Sequence, residues 1–373
     1  MRVSGRYPAL VAGLALVASL VACGGGTDSS SADTGNAGGD DLGVWKTRDE
    51  LIAAANKEGS LKVLTSFVED NNKALQADFM KLYPGIKTTV DEQQNDEGQK
   101  TLLELQAGQI DYDILHLGKT DGFAEFFPHL AKLDLVKLVK DGVIKMPEGS
   151  IHPKYPNIMA AGSGVGAVAW NPDLIADDQV PDTYEGFLDP KFKGKFMVNI
   201  EGEHFGAMFQ AWGEEKTLDY TAKLAKNSPV WTDSDTAGIT VMAAGEHPIY
   251  LNTNYHSAFR AQKKQPDKIH IKALDVLPGS FTQLQAIRDK AEHPAAAVLF
   301  LEFLMSPQAQ QHLDELEPVQ ASFLTPSSNS AKLIAASGAK ASIVDWEHFH
   351  DLTDWSEKVQ KSWGFPSATV KKK

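Results

Sequence analysis

Residues 161–172 read AGSGVGAVAWNP. Gly162, Gly164 and Gly166 run into the apolar stretch Ala167, Val168, Ala169 and Trp170, and Asn171-Pro172 stops it. Glycines that lead into a strand let another backbone approach closely or let the strand bend. The stretch reads as a strand that leaves one domain and enters another, a hinge beside a cleft. The alternative is an ordinary buried strand with a Gly-rich start, so the flanks must decide.

The upstream flank alternates helix and strand. Thr47-Arg48-Asp49-Glu50 is a capping box before Leu51–Ala55, and Gly59 closes that helix. Leu61–Phe67 is a first strand; Asn71 or Asn72 caps a helix with Leu75, Phe79 and Leu82 on one face. Ile86–Val90 is a second strand, Glu97–Ala107 a helix and Asp113–Leu117 a third strand. Short connections in a β-α-β-α-β series imply a parallel sheet with right-handed crossovers.

A second α/β series follows the hinge. Phe196–Ile200, Ile249–Asn252 and Ile269–Leu274 are strands, with helices at Phe205–Trp212, Leu218–Lys226 and Thr236–Ala244. Pro278-Gly279-Ser280 then leads into a return strand, Phe281–Ile287. Ala295–Met305 is an apolar helix with Pro294 in its first turn, Ser306-Pro307 opens another, and Asp351–Trp363 is the last. The fold class is therefore α/β with two lobes joined by two crossing strands. Residues 45–165 and 280–373 form lobe 1 and residues 166–279 lobe 2. Two lobes joined in this way can rock and close on a ligand.

The chain of 373 residues has the length of two domains, with 42% hydrophobic and 23% charged residues, as in soluble globular proteins. Arg2 and Arg6 precede an apolar run, Leu10–Ala22, too short for a membrane span, so residues 1–22 read as a secretory signal. That run ends Leu20-Val21-Ala22-Cys23, similar to a bacterial lipobox, and Cys23 is the only cysteine. The resemblance implies lipidation of Cys23. Residues 23–44, rich in Gly, Ser and Asp, then read as a flexible tether. The expected location is the outer face of the cytoplasmic membrane or the periplasm, with the lipid as the sole membrane contact.

The formal net charge is −13, and removing residues 1–22 leaves 34 basic residues against 49 acidic, or −15. Nucleic acid, which needs a basic footprint, is excluded as a partner. Beyond residue 22 only Arg48, Arg260 and Arg288 are arginines, so bidentate clamps for phosphate or carboxylate are scarce.

Three segments carry a family likeness: Leu102–Asp121 (LLELQAGQIDYDILHLGKTD), Val180–Val198 (VPDTYEGFLDPKFKGKFMV) and Pro294–Leu313 (PAAAVLFLEFLMSPQAQQHL). In order and spacing the chain resembles, over residues 47–325, the extracellular solute-binding proteins of ABC importers. Within them it looks like the branch that includes ferric-iron, polyamine and thiamine binders. The resemblance implies a type II periplasmic-binding-protein fold, a ligand held between the lobes and delivery to a membrane permease; a monomer that is not an enzyme is expected.

Ligands of open α/β sheets bind beyond the carboxyl ends of strands. That rule selects Ser66, Phe67, Glu69 and Asp70 after the first strand, Gln93 and Gln94 after the second, and Gly118, Lys119, Thr120 and Asp121 after the third. It adds Ser163 and Gly164 at the hinge. In the second lobe it selects Glu201, His204, Asp233, Ser234, Thr236, Asn252, Asn254 and Tyr255. Asp233, Ser234 or Asp235 equally suits a helix cap. Family ferric binders use adjacent tyrosines with a histidine or carboxylate, and hard Fe³⁺ suits such oxygen ligands. Here Asn254 precedes a single Tyr255, which with His204 is the candidate metal pair. No cofactor is expected, and Fe³⁺ would be cargo. A polyamine would take Phe67, Trp231, Glu69, Asp233 and Glu201 as walls and counter-charges. An organic anion, served by Lys119 and Arg260, is the least favoured.

Enzyme motifs do not hold. Gly118-Lys119-Thr120 lacks the earlier glycine of a P-loop, because Asp113 stands there. Ser163 is not in Gly-x-Ser-x-Gly, and no His-Glu-x-x-His occurs. His348 and His350 are a surface pair that a metal would need to share. The rival classes are a secreted lipoprotein hydrolase using Glu201 and Glu203 as a carboxylate pair, and a structural envelope protein.

Overall fold

A computed structural model describes residues 45–93, 98–117, 123–317 and 321–365. The signal, Cys23 and the tether lie outside the described residues, as do Gln94, Gly118, Lys119, Thr120 and Asp121.

In chain order, α1 (Arg48–Glu58), β1 (Ser60–Thr65), α2 (Glu69–Leu82), β2 (Lys87–Glu92), α3 (Gly98–Gln106) and β3 (Ile114–His116) build the first series. α4 (Leu135–Lys140) precedes the long β4 (Ile158–Trp170). Then come β5 (Phe196–Asn199), α5 (Glu203–Ala207), α6 (Phe209–Trp212), α7 (Glu214–Lys226), β6 (Val230–Thr232), α8 (Asp235–Ala243), β7 (Ile249–Asn254), α9 (Tyr255–Lys264) and β8 (His270–Lys272). The return strand is β9 (Val276–Ile287), followed by α10 (Pro294–Leu304), α11 (Pro307–Leu316), α12 (Asn329–Ala336), β10 (Lys340–Ile343) and α13 (Asp351–Ser362).

The strand order is β2-β1-β3-β9-β4-β7-β5-β6, with β10 beside β9 and β8 beside β4. β1 pairs in parallel with β2 and β3, whereas β9 runs antiparallel to β3 and β4. β4 changes partners in mid-strand. Its residues Ile158–Val165 follow β9, and Gly166–Trp170 follow β7 and β8. All 13 residues of β4 are buried, so its small residues serve close packing on both faces.

Local chemistry sets the helix ends. Thr47 accepts from Glu50 N, and Gly59, at φ +68°, closes α1. The buried start of α10 is capped from far away: the Glu58 carboxylate accepts from Ala295 N at 3.0 Å and Ala296 N at 2.8 Å. Burial at that point raises the Glu58 pKa.

Two main cores flank the strand exchange. In one, Phe79 packs on Phe300 and Phe303 at ring distances of 5.0 and 5.6 Å. In the other, Tyr184, Phe187, Phe196 and Phe205 meet Val359 and Trp363. That last contact corrects an expectation. Residues 280–373 do not all return to the first core, because α13 lies against α5 and α7 and Trp363 meets Phe205 at 5.7 Å. Its apolar face is covered by the second core.

Other local readings change. The return strand begins at Val276, five residues early, so Pro278-Gly279 is inside it. The glycine there permits a close approach, since a Cβ would lie 2.9 Å from Gly164 O. α2 starts at Glu69, and Asn71 and Asn72 are buried in its first turn instead of capping it. Asn71 Nδ2 donates to Glu317 Oε2, and Asn72 accepts from Thr65 Oγ1. Both amides spend their hydrogen bonds on tertiary structure.

Candidate functional site

A cleft of about 840 Å³ opens where β4 changes partners, with walls from both halves. It brings together Ser66, Gln93, Gly164, Glu201, His204, Asp233, Ser234, Asn252 and Asn254 of the expected residues, and Glu203 and Thr236 with them. The strand-end rule and the cleft therefore share these loops.

In several of them only one of two selected neighbours lines the cleft, because adjacent residues on an extended chain face opposite ways. Ser66 faces the cleft, whereas Phe67 is wholly buried in the first core. Gly164 lines the cleft, whereas Ser163 points away. Ser163 Oγ donates to Ala321 O and accepts from Phe323 N at 2.7 Å, pinning that segment to β4. Asn254 lines the cleft, whereas Tyr255 packs against Val165 and Leu277 and stacks on Phe259. Glu69 lies on the exposed first turn of α2 and pairs with Lys73 at 2.7 Å, and Asp70 is exposed beside it. Trp231 packs on Trp363 and Phe365 instead of lining the cleft, where Phe126, Phe281 and Phe349 stand. The Tyr255–His204 metal pair is not assembled. Among the described residues no group of three or more His, Cys, Asp or Glu is placed to hold a metal ion.

The floor is built of amides, hydroxyls and imidazoles held by the protein. Ser66 Oγ donates to Gln283 Oε1 at 2.8 Å. Gln93 Nε2 donates to Thr101 Oγ1 at 2.9 Å. The Tyr184 hydroxyl donates to Asn252 Oδ1 at 2.8 Å, and burial raises that phenol's pKa, keeping it a donor. Asn252 and Gln283 both hold positive φ, +58° and +55°. Such strain in non-glycine residues collects at functional sites. The β4–β9 register is the same on either side of Gln283, with Ala160 paired with Leu284 and Gly162 with Thr282.

Ser234 is also the cap of α8, accepting from Ala237 N, so it serves both roles proposed for it. Asp235, next in line, accepts from Tyr250 Oη, Asn199 Nδ2 and Asn254 N. This carboxylate is consumed in holding β5, β7 and α8 together.

Several cleft residues escape the sequence reading: His116, His256, Ser257, Thr282, Gln283 and Glu317; Arg260, considered there only for an organic anion, lines the cleft as well. His256 and Arg260 are four apart on α9, a helical spacing that would have shown them on one face. The segment reads as a strand end because Asn252-Thr253-Asn254 looks like a loop. Burial lowers the His116 pKa to about 4. Burial, with Arg260 next, lowers that of His256 to about 4. Both rings are neutral at physiological pH. His256 then donates through Nδ1 to Asn254 Oδ1 at 2.6 Å and accepts at Nε2 from Ser257 Oγ. Glu317 accepts from Asn71 Nδ2 and Val68 N, and burial raises its pKa.

Arg260 differs from the other two arginines beyond residue 22. Arg48 is paired with Glu302 at 2.7 Å, and Arg288 donates to Tyr112 O. Arg260 lines the cleft and has no carboxylate at ion-pair distance among the described residues.

Residues 74–341 match the model of a family described as bacterial extracellular solute-binding protein. Solved structures share the fold at low identity. Iron-bound HitA from Pseudomonas aeruginosa is 15% identical, with 82% of this chain and 99% of that one covered and a TM-score of 0.60. Trichodesmium IdiA (FutA), in complex with iron and citrate, is 19% identical, with 83% and 100% covered and a TM-score of 0.62. AfuA from Actinobacillus pleuropneumoniae, with exogenous fructose-6-phosphate bound, is 19% identical, with 82% and 97% covered and a TM-score of 0.55. No curated protein matches the chain in sequence.

Proposed function

The chain belongs to the bacterial extracellular solute-binding proteins, with the two-lobed type II periplasmic-binding-protein fold, and from that premise we propose how it works. It captures one small solute in the cleft at the β4–β9 crossing and presents it to the permease of an ABC importer. The lobes are residues 45–165 with the segment from 280, and residues 166–279 with α13. They close about the point where β4 exchanges β9 for β7. Cys23 carries the lipid and residues 23–44 act as a leash.

The observation that carries this reading is the partner exchange within β4, directly beside a cleft lined by polar groups from both halves. Closure on a ligand would pair those groups and shift the population to the closed form by differential affinity. The chain binds without catalysis: Glu201 and Glu203 line the cleft, but a hydrolase would turn over its ligand. Iron is a second reading, favoured by the iron-bound HitA and IdiA relatives, although Tyr255 stands outside the cleft.

Native mass spectrometry with metal analysis of the protein as purified tests this. One small molecule or ion retained per chain, and released on unfolding, is the expected result. Conversion of the retained molecule to product would establish the hydrolase instead.

A further inference from the structure

The cleft amides are each tied at one end, and the ends left over define what the ligand must offer. Asn252 spends Oδ1 on the Tyr184 hydroxyl, and its Nδ2 has no partner among the described residues although the residue is only 3% exposed. Asn254 spends Oδ1 on His256 Nδ1, and its Nδ2 lies 3.8 Å from where a Cβ of Gly164 would stand. Gln283 spends Oε1 on Ser66 Oγ, leaving Nε2. Gln93 is the reverse: its Nε2 is spent on Thr101, and its buried Oε1 has no partner among the described residues. Three donor ends and one acceptor end thus remain, and the unpaired Arg260 guanidinium adds further donors.

An unmatched buried donor is destabilising, so this arrangement favours a ligand that brings acceptors. A bare cation would meet amide N–H groups and a guanidinium. A wholly anionic ligand would leave Gln93 Oε1 unmatched, which a hydroxyl would satisfy. The acidic residues of the cleft do not reverse this. Both Asp235 and Glu317 are occupied by protein donors, Glu201 and Asp233 are solvent-exposed, and Glu92 and Glu203, which also line the cleft, are partly exposed, so screening weakens all four.

We propose that the solute is an organic oxyanion, a carboxylate or phosphate ester carrying at least one hydroxyl. Its charged group lies against Arg260 and the Asn252 and Asn254 amides, and Tyr184 is a positioning residue that fixes Asn252. This rests on the solute-binding reading and narrows it to a ligand class.

Calorimetric titration with fructose 6-phosphate, citrate, fructose and putrescine tests it, using the wild type, Asn252→Asp and Arg260→Met. Asn252→Asp keeps the size, the Tyr184 bond and tolerance of positive φ, but replaces the donor with an acceptor. The expected result is binding of fructose 6-phosphate or citrate but neither fructose nor putrescine. Either variant should weaken that binding by about thirtyfold, as expected for a lost charge-assisted hydrogen bond, and Arg260→Met should do so with an unchanged melting temperature. Whichever anion binds identifies phosphate or carboxylate as the anchor. Putrescine or fructose binding as tightly as the anions, or anion binding untouched by Asn252→Asp, overturns the ligand class and leaves the solute-binding reading standing. Failure of all four probes to bind, with a ligand of another class found in the purified protein, also overturns it and leaves that reading intact. Failure of all four with no retained ligand counts against both.

Discussion

A Cβ on Gly166 would lie 2.4 Å from Asn252 Oδ1, the atom that the Tyr184 hydroxyl holds. The same Cβ would stand 3.0 Å from Pro278 Cγ and 3.2 Å from His204 Cβ. This glycine is thus the point at which β4, β7, β9 and α5 converge, and it is the first residue of β4 to pair with β7. The Gly-rich stretch is needed for close approach where the strand changes partners.

Gly166→Ala is therefore expected to cost about 1–3 kcal/mol, in the range for overpacking a buried site, and to weaken ligand binding by turning Asn252 aside. Urea denaturation alongside calorimetry measures both. Wild-type stability would show that Asn252 yields without cost.

Tyr184→Phe keeps the ring in the second core and removes only the hydroxyl. It leaves Asn252 Oδ1 unpaired, a loss of about 1–2 kcal/mol. Binding should weaken with it, because the amide is free to turn. A variant that loses stability but keeps full affinity would make Tyr184 purely structural.

Gln310 is 1% exposed and joins three segments. Its Nε2 donates to Ala161 O and Leu304 O, and its Oε1 accepts from Ser322 N. Gln310→Leu strands these groups beside the crossing strand, at an expected cost of about 2–4 kcal/mol. The denaturation midpoint reports it. A shift below about 0.5 kcal/mol, the usual range for an inert surface change, would contradict the role assigned to this side chain.

The pH dependence follows from buried imidazoles. His116 and His152 are both nearly inaccessible, and burial lowers each pKa to about 4, with His350 adding to the effect on His152. An unfolded histidine binds its proton near pH 6.5. Between pH 6.5 and 4 the unfolded state therefore holds more protons, and stability falls as pH falls. At pH 5 the loss is about 2 kcal/mol per histidine relative to pH 7. His116→Asn should flatten the melting-temperature profile in that window. An identical profile would mean the His116 ring accepts a proton in the folded state.

The sequence and the structure agree where one local signal suffices. Thr47, Gly59, Ser306 and Pro307 mark helix ends through chemistry within a few residues. The cleft loops follow from strand direction. What was not legible is which of two neighbours faces inward, as with Ser66 and Phe67 or Asn254 and Tyr255, because facing depends on strand pairing far along the chain. Gln283 is hidden for a related reason: it reaches the cleft through a positive φ, which a glutamine does not announce. The C-terminal helix was misplaced because its apolar face, with Val359 and Trp363, does not say which core it covers.

The central claim is that the halves close on a solute about the β4 crossing. Small-angle X-ray scattering during titration with the ligand found by native mass spectrometry tests it most directly. The account predicts a radius of gyration that contracts and saturates at one equivalent, and an attenuated contraction in Gly166→Ala at the same ligand concentration. A radius that stays constant while the ligand binds stoichiometrically would contradict closure.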